Sequence, residues 1–143
     1  MKARLSLTVQ YAVSASLLPT RQQLRRWVSI AMQRDLSMTL RIVDEAEARK
    51  LNHAYRGRDY ATNVLTFVYD DAGGDVVICA PVVEREAREQ HKDLMAHYAH
   101  MTIHAVLHLQ GYDHETDADA RRMEALETGL MVRLHYPDPY MEA

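Results

Sequence analysis

Cysteine is nearly absent from this chain: Cys79 is the only one in 143 residues. That excludes a disulfide framework and a zinc finger built on cysteines. Cys79 lies in the apolar run Val76-Val77-Ile78-Cys79-Ala80, where a thiol is expected to be buried and inert. Long hydrophobic runs are missing as well. The N-terminal stretch Leu5-Ser6-Leu7-Thr8-Val9, preceded by Lys2 and Arg4, alternates and is too short for a signal core or a membrane span. A cytoplasmic location is the expectation. There are only four prolines and five glycines, and no repeat, low-complexity tract or linker, so residues 1–143 read as a single domain large enough for a real core. A positive surplus is lacking too. The net charge of −3 argues against a chain coated in nucleic acid. The charge is unevenly placed, however. Residues 1–60 hold eleven Lys/Arg against five Asp/Glu, and residues 61–143 hold six against fifteen. A basic half can follow a phosphate backbone or be plain solvated surface.

Hydrophobic periodicity places the elements. Alternation predicts strands over 4–11 and 36–43, and β-branched and aromatic residues predict strands over 64–69 and 75–80. The short turn Asp70-Asp71-Ala72-Gly73-Gly74 makes the last two a hairpin. Thr20 with Gln23 reads as a capping box opening a helix over 21–34, with Leu24, Trp27, Val28 and Ala31 inward and Arg21, Arg25, Arg26 and Arg34 outward. Asp44 with Glu47 reads as a second box, opening a helix to about Tyr55. A polar loop follows to Asn63. Residues 81–110 are helical in pattern, started by Pro81 and expected to break near His91-Lys92. Thr116 caps a last helix lined by Met123, Leu126, Leu130 and Leu134. The sum is one α+β domain, with about four strands in a small mixed sheet and about five helices.

The chemistry concentrates in His104-Ala105-Val106-Leu107-His108-Leu109-Gln110-Gly111-Tyr112-Asp113-His114. Histidines four apart on a helix lie on one face, roughly 6 Å apart along the axis, so both imidazoles can reach one ion. A glycine three residues on can adopt the left-handed conformation that ends a helix and turns the chain back. That turn brings His114 round as a third ligand. Three neutral nitrogens leave a fourth position for water, the arrangement of a catalytic rather than a structural zinc site. The spacing is similar to the metzincin protease motif H-E-x-x-H-x-x-G-x-x-H. Ala105 stands where those proteases have their glutamate base, and a methyl group takes no proton, so ordinary metalloprotease chemistry is disfavoured. His97 and His100 share nearly the same helix stripe. Such histidines are either further ligands or, more commonly, packed and hydrogen-bonded. Asp113 and Glu115 flank the last ligand and either orient an imidazole or cap the next helix.

Several stretches together resemble the YbeY family of bacterial ribosomal RNA-processing proteins. His104–His114 resembles the family's H-G-x-L-H-L-x-G-Y-D-H signature, Leu51–Arg56 its L-N-x-x-Y-R segment, Thr62–Phe67 its T-[DN]-V-L-S-F segment and Gly74-Asp75-Val76 its G-D-[IVL] strand start. The resemblance covers most of the chain after about residue 38. It implies a zinc-dependent, single-strand-specific endoribonuclease that matures the 3′ end of small-subunit ribosomal RNA and takes part in ribosome quality control. Carried over, His104, His108 and His114 are the metal ligands, one zinc ion with water completing its shell, and Arg56 is the functional arginine. Implied partners are single-stranded ribosomal RNA, the small subunit and assembly factors. Ala105 replaces the usual glycine and is expected to narrow the approach to the metal. Tyr60-Ala61 replaces the usual x-Pro, which is expected to loosen the loop after Arg56. Two other readings stay open: a zincin-type metallopeptidase, and a non-catalytic assembly factor whose zinc only pins the fold. Either a hydroxide or the ribose 2′-OH is open as the attacking group.

Overall fold

The computed structural model describes residues 3–15 and 17–141; Lys2 falls outside them. The elements follow as β1 (Leu5–Ala12), α1 (Arg21–Ala31), β2 (Leu36–Val43), α2 (Glu45–Arg56), β3 (Val64–Asp70), β4 (Gly73–Cys79), α3 (Ala80–Glu89), α4 (Leu94–Leu109) and α5 (Asp117–Arg133). The strands form one sheet in the order β1-β2-β4-β3. β1/β2 and β2/β4 are parallel, and the β3/β4 hairpin is antiparallel, so β3 is an edge strand.

Local chemistry explains the boundaries. The Thr20–Gln23 capping box is complete, with side chain to backbone bonds in both directions. The box expected at Asp44 is only half formed. Asp44 accepts from the Glu47 N–H, but the Glu47 carboxylate turns away to take a bidentate pair from Arg41 on β2 at 2.7 and 3.0 Å. A charge-assisted pair of that geometry outcompetes a single neutral donor. The first helix stops at Ala31 rather than 34, because Met32 leaves helical space (ψ 135). β4 begins two residues earlier than the pattern suggested. Gly73 and Gly74 belong to the strand, and a Cβ on either would lie 1.9 Å from a backbone oxygen, of Ser37 or of Phe67. Both strands can close on β4 there only because it has no side chain.

The sheet has an apolar cluster on each face. The larger holds Leu24, Trp27 and Val28 of α1, Leu40 and Ile42 of β2, Val76 and Ile78 of β4, and most of α4. The smaller holds Val43, Ala48, Leu65, Val77, Cys79 and Val82 beneath α2 and α3. Cys79 is buried, and burial raises its thiol pKa, as expected of an inert packed cysteine. α4 lies at the centre of the molecule, against α1, α3, α5 and the sheet. Its side chains from Ala96 to Leu109 are buried except at His104 and His108, which are half-buried on its one open face.

Candidate active site

Residues 81–110 break where the sequence suggested. Gln90 ends α3, His91 takes a positive φ of 53°, and Asp93 caps α4 by accepting from the Ala96 N–H. α4 then carries His104 and His108 one turn apart, with ring centroids 6.5 Å apart and planes within 4°. Its end is a Schellman turn: Gly111, at φ 99°, bonds its N–H to the His108 carbonyl, and the Tyr112 N–H reaches the Leu107 carbonyl. That turn returns the chain so that the His114 ring lies 5.9 Å from His104 and 6.5 Å from His108. The three sequence-predicted histidines are therefore together.

Arg56 meets them from the other side. It is the last residue of α2, and Gly57 behind it is left-handed (φ 68°), closing the helix on the carbonyls of Asn52 and His53. A cleft of about 500 Å³ is lined by Tyr55, Arg56, residues 64–67 of β3, His104, His108, Asp113, His114 and Glu115. Arg56 is exposed and makes no salt bridge among the described residues, so its guanidinium is not committed to a structural partner. The loop beyond it is not loose, despite the missing proline. The buried Asn52 side chain donates to the Tyr60 carbonyl at 2.8 Å, and Arg49 holds Asp59 at 2.8 and 3.0 Å.

The imidazoles are oriented by groups behind them. His108 donates Nδ1–H to the Tyr112 carbonyl at 2.9 Å, and His104 donates Nδ1–H to Glu127 Oε1 at 3.2 Å. In each ring this leaves Nε2 as the bare lone pair. Burial, aided by the neighbouring His104 and His114, outweighs the Tyr112 bond and lowers the His108 pKa, so that ring is neutral at pH 7. Neutral nitrogen donors with acceptors behind them suit a borderline divalent ion. The set is an open one. An ion drawing three nitrogens to about 2.1 Å needs them closer than these rings stand, and among the described residues no three His, Cys, Asp or Glu side chains are already in coordination geometry.

Glu127 is the group behind the histidines that the sequence reading missed. It is 1% exposed and accepts from His100 Nε2 at 2.7 Å, from His104 Nδ1 and from the Tyr140 hydroxyl at 2.9 Å. Burial raises its carboxyl pKa, but the bonds from His100 and His104 outweigh that and hold it at about 2. Its signal in the sequence was an acid four residues after Met123, on the inward stripe of α5. Met123 and Leu134 are buried as expected, but between them the stripe runs one residue off the expected line: Glu127 and Met131 are buried, and Leu126 and Leu130 only partly. His97 and His100 are the packed, hydrogen-bonded kind, tied to Glu86 at 2.9 Å and to Glu127. Asp113 accepts from the Glu115 N–H and Thr116 caps α5, and among the described residues neither acid beside His114 hydrogen-bonds a ring. Ala105 is fully buried in the main core, so its methyl does not narrow the cleft. Nor does that position line the cleft, as a protease's glutamate base would have to.

The fold defines a class: small α+β proteins with a four-stranded mixed sheet and five helices packed around it. The solution structure of a Thermotoga maritima protein shares this architecture, with a TM-score of 0.59, 25% sequence identity and coverage of 94% of this chain and 99% of its own. The family model described as Endoribonuclease YbeY matches residues 11–135. The chain is 59% identical to the Endoribonuclease YbeY of Thiobacillus denitrificans over 98% of its own length and 99% of that protein's. It is 54% identical to that of Aromatoleum aromaticum, covering 96% and 94%. The chain belongs to the YbeY endoribonuclease family, hydrolases acting on RNA.

Proposed function

We propose that the cleft between α2, β3 and α4 is the hydrolytic centre of a zinc-dependent, single-strand-specific endoribonuclease acting in ribosomal RNA maturation at the 3′ end of the small-subunit RNA. The observation that carries this is the meeting of Arg56 with His104, His108 and His114 in one cleft from segments about fifty residues apart. His104, His108 and His114 would hold the ion. A divalent ion there supplies Lewis acidity and brings the ionisation of a water molecule to near pH 7. The chain's own groups do the rest. Tyr112 and Glu127 keep two rings in the ligating tautomer. Arg56, planar and permanently charged, grips the non-bridging oxygens of a phosphodiester, where negative charge gathers as the phosphorus becomes five-coordinate. Asp113 and Glu115 at the lip repel a second phosphate, which favours a strand entering along the Arg56 side.

The partners that fit are single-stranded ribosomal RNA, the small subunit and its assembly factors, in the cytoplasm. No helix among the described residues is long and apolar enough to cross a membrane. Two variants test the assignment. His108→Ala is expected to lose metal and cleavage together, whereas Arg56→Glu keeps its metal and loses cleavage. Metal analysis beside an RNA cleavage assay reads both, and an Arg56→Glu protein that cleaves normally removes the arginine from the mechanism.

A further inference from the structure

The aromatic surface of this molecule is unevenly distributed. Its one tryptophan, Trp27, is buried, and its one phenylalanine, Phe67, is partly so. Tyr55, Tyr60 and Tyr69, by contrast, are each at least half exposed and fall in residues 55–69, the stretch that also supplies Tyr55, Arg56 and residues 64–67 to the cleft. Tyr55 is 70% exposed, immediately precedes Arg56 and lines the cleft beside the histidines. Its ring meets Phe67 in an edge contact, centroids 5.2 Å apart and planes at 71°. Phe67 is anchored in turn against the smaller core. Across the hairpin Phe67 pairs with Asp75, and Asp75 accepts the Tyr69 hydroxyl, which draws Tyr69, also 70% exposed, to the same side of the sheet. A T-shaped contact occupies one side of the Tyr55 ring and leaves a face open to solvent. Isolated exposed tyrosines are ordinary, but a braced row of them beside an uncommitted arginine is a built surface.

We propose that Tyr55, backed by Phe67 and flanked by Tyr69, is a stacking platform for an unpaired base adjoining the phosphate held by Arg56, and so a determinant of single-strand specificity. The proposal rests on the ribonuclease reading of the cleft and adds to it the means of choosing substrate form. Every base presents a π-face, so stacking tolerates any sequence, whereas bases within a duplex are already stacked and have no free face to offer. The adjacency of Tyr55 and Arg56 suits one nucleotide unit: the ring takes the base and the guanidinium the phosphate. Arg58, two residues beyond Arg56 and exposed, donates its guanidinium to the Tyr60 hydroxyl at 3.2 Å and adds positive charge to the segment that follows α2.

The test uses the intact protein and a short single-stranded RNA carrying 2-aminopurine, with chelator present so that the RNA stays whole, beside a duplex of the same sequence. Cleavage of the single strand without chelator is followed in parallel. Wild-type protein is expected to quench the 2-aminopurine fluorescence on binding. Tyr55→Ala should lose the quench and bind the single strand roughly 5- to 100-fold more weakly, with unchanged affinity for the duplex, and Tyr55→Phe should restore both. If wild-type protein cleaves and binds the single strand but Tyr55→Ala keeps quench and affinity, the platform is wrong and the ribonuclease assignment stands. If Tyr55→Ala weakens duplex and single strand alike, the tyrosine does not select for free bases and the proposal also fails. If wild-type protein neither binds nor cleaves RNA, the ribonuclease reading itself falls.

Discussion

Glu127 is an anion held inside the protein by three donors, His100, His104 and Tyr140, with no Lys or Arg among them. A carboxylate in that position fixes the tautomer and orientation of His104, as acids behind metal-binding imidazoles do. Glu127→Gln keeps the shape but not the charge. It is expected to weaken metal binding about 10- to 100-fold while the protein stays folded, measured by competition with a metal chelator beside circular dichroism. Unchanged affinity would reduce Glu127 to a packing role. The three candidate histidines were legible because helix geometry puts His104 and His108 on one face and the glycine turn at Gly111 returns His114 to them. Glu127 was not, because an acid on an apolar stripe looks the same in sequence whether it lies at the wet boundary or, one residue of helix rotation away, at its centre. Arg56 was legible only through its segment's resemblance to a family, since nothing in one sequence separates a free arginine from one in a surface pair such as Arg49–Asp59.

Among the elements, the end of α4 decides where the third histidine goes. Gly111 has φ 99°, and a Cβ there would meet nothing within 4 Å, so its need for glycine is conformational rather than steric. Gly111→Ala should cost about 1–2 kcal/mol, lower the melting temperature by about 3–6 °C and weaken metal binding by displacing His114. A variant that melts lower but binds metal like the wild type would show that His114 is placed by other contacts. This turn was readable in advance because a left-handed glycine three residues after a helical histidine has few other uses. The strap on the other side of α4 was not. Glu86 on α3 holds both His97 on α4 and Asn63 before β3, so one carboxylate ties the two helices to the start of the edge strand. Burial raises the Glu86 carboxyl pKa, but the His97 and Asn63 bonds outweigh it and keep it below the ordinary value of 4.5. The folded-state pKa is therefore the lower one, so the carboxylate stabilises the fold above about pH 4.5 and that contribution is lost as the pH falls below it. Glu86→Gln should melt lower than wild type at pH 7, and the gap should narrow on acidification below about pH 4.5. Melting curves that run parallel across that range would mean the ionised form contributes nothing.

For the whole molecule, the hairpin adjacency of β3 and β4 followed from a short turn, but the order β1-β2-β4-β3 did not, because parallel pairing across helices leaves no local mark. That order makes β3 an edge beside α4, and so opens a cleft rather than burying the histidines. It also brings Arg56, from the basic half of the chain, into one cleft with the three histidines from the acidic half. The uneven charge thus divides around the site: a cationic lip on α2 and an anionic one at Asp113 and Glu115. The expected outward arginines of α1 are exposed, but Arg21 is occupied by the Val9 carbonyl and the Tyr11 ring, so that face is partly structural.

The most direct measurement is cleavage of a single-stranded RNA from the 3′ end of precursor small-subunit ribosomal RNA by metal-loaded protein, chelated protein and His108→Ala in parallel. The account predicts cleavage by the first and none by the other two, with activity restored when metal is returned to the chelated wild-type protein. Failure to cleave by protein shown to hold its metal, or undiminished cleavage after its removal, would contradict it.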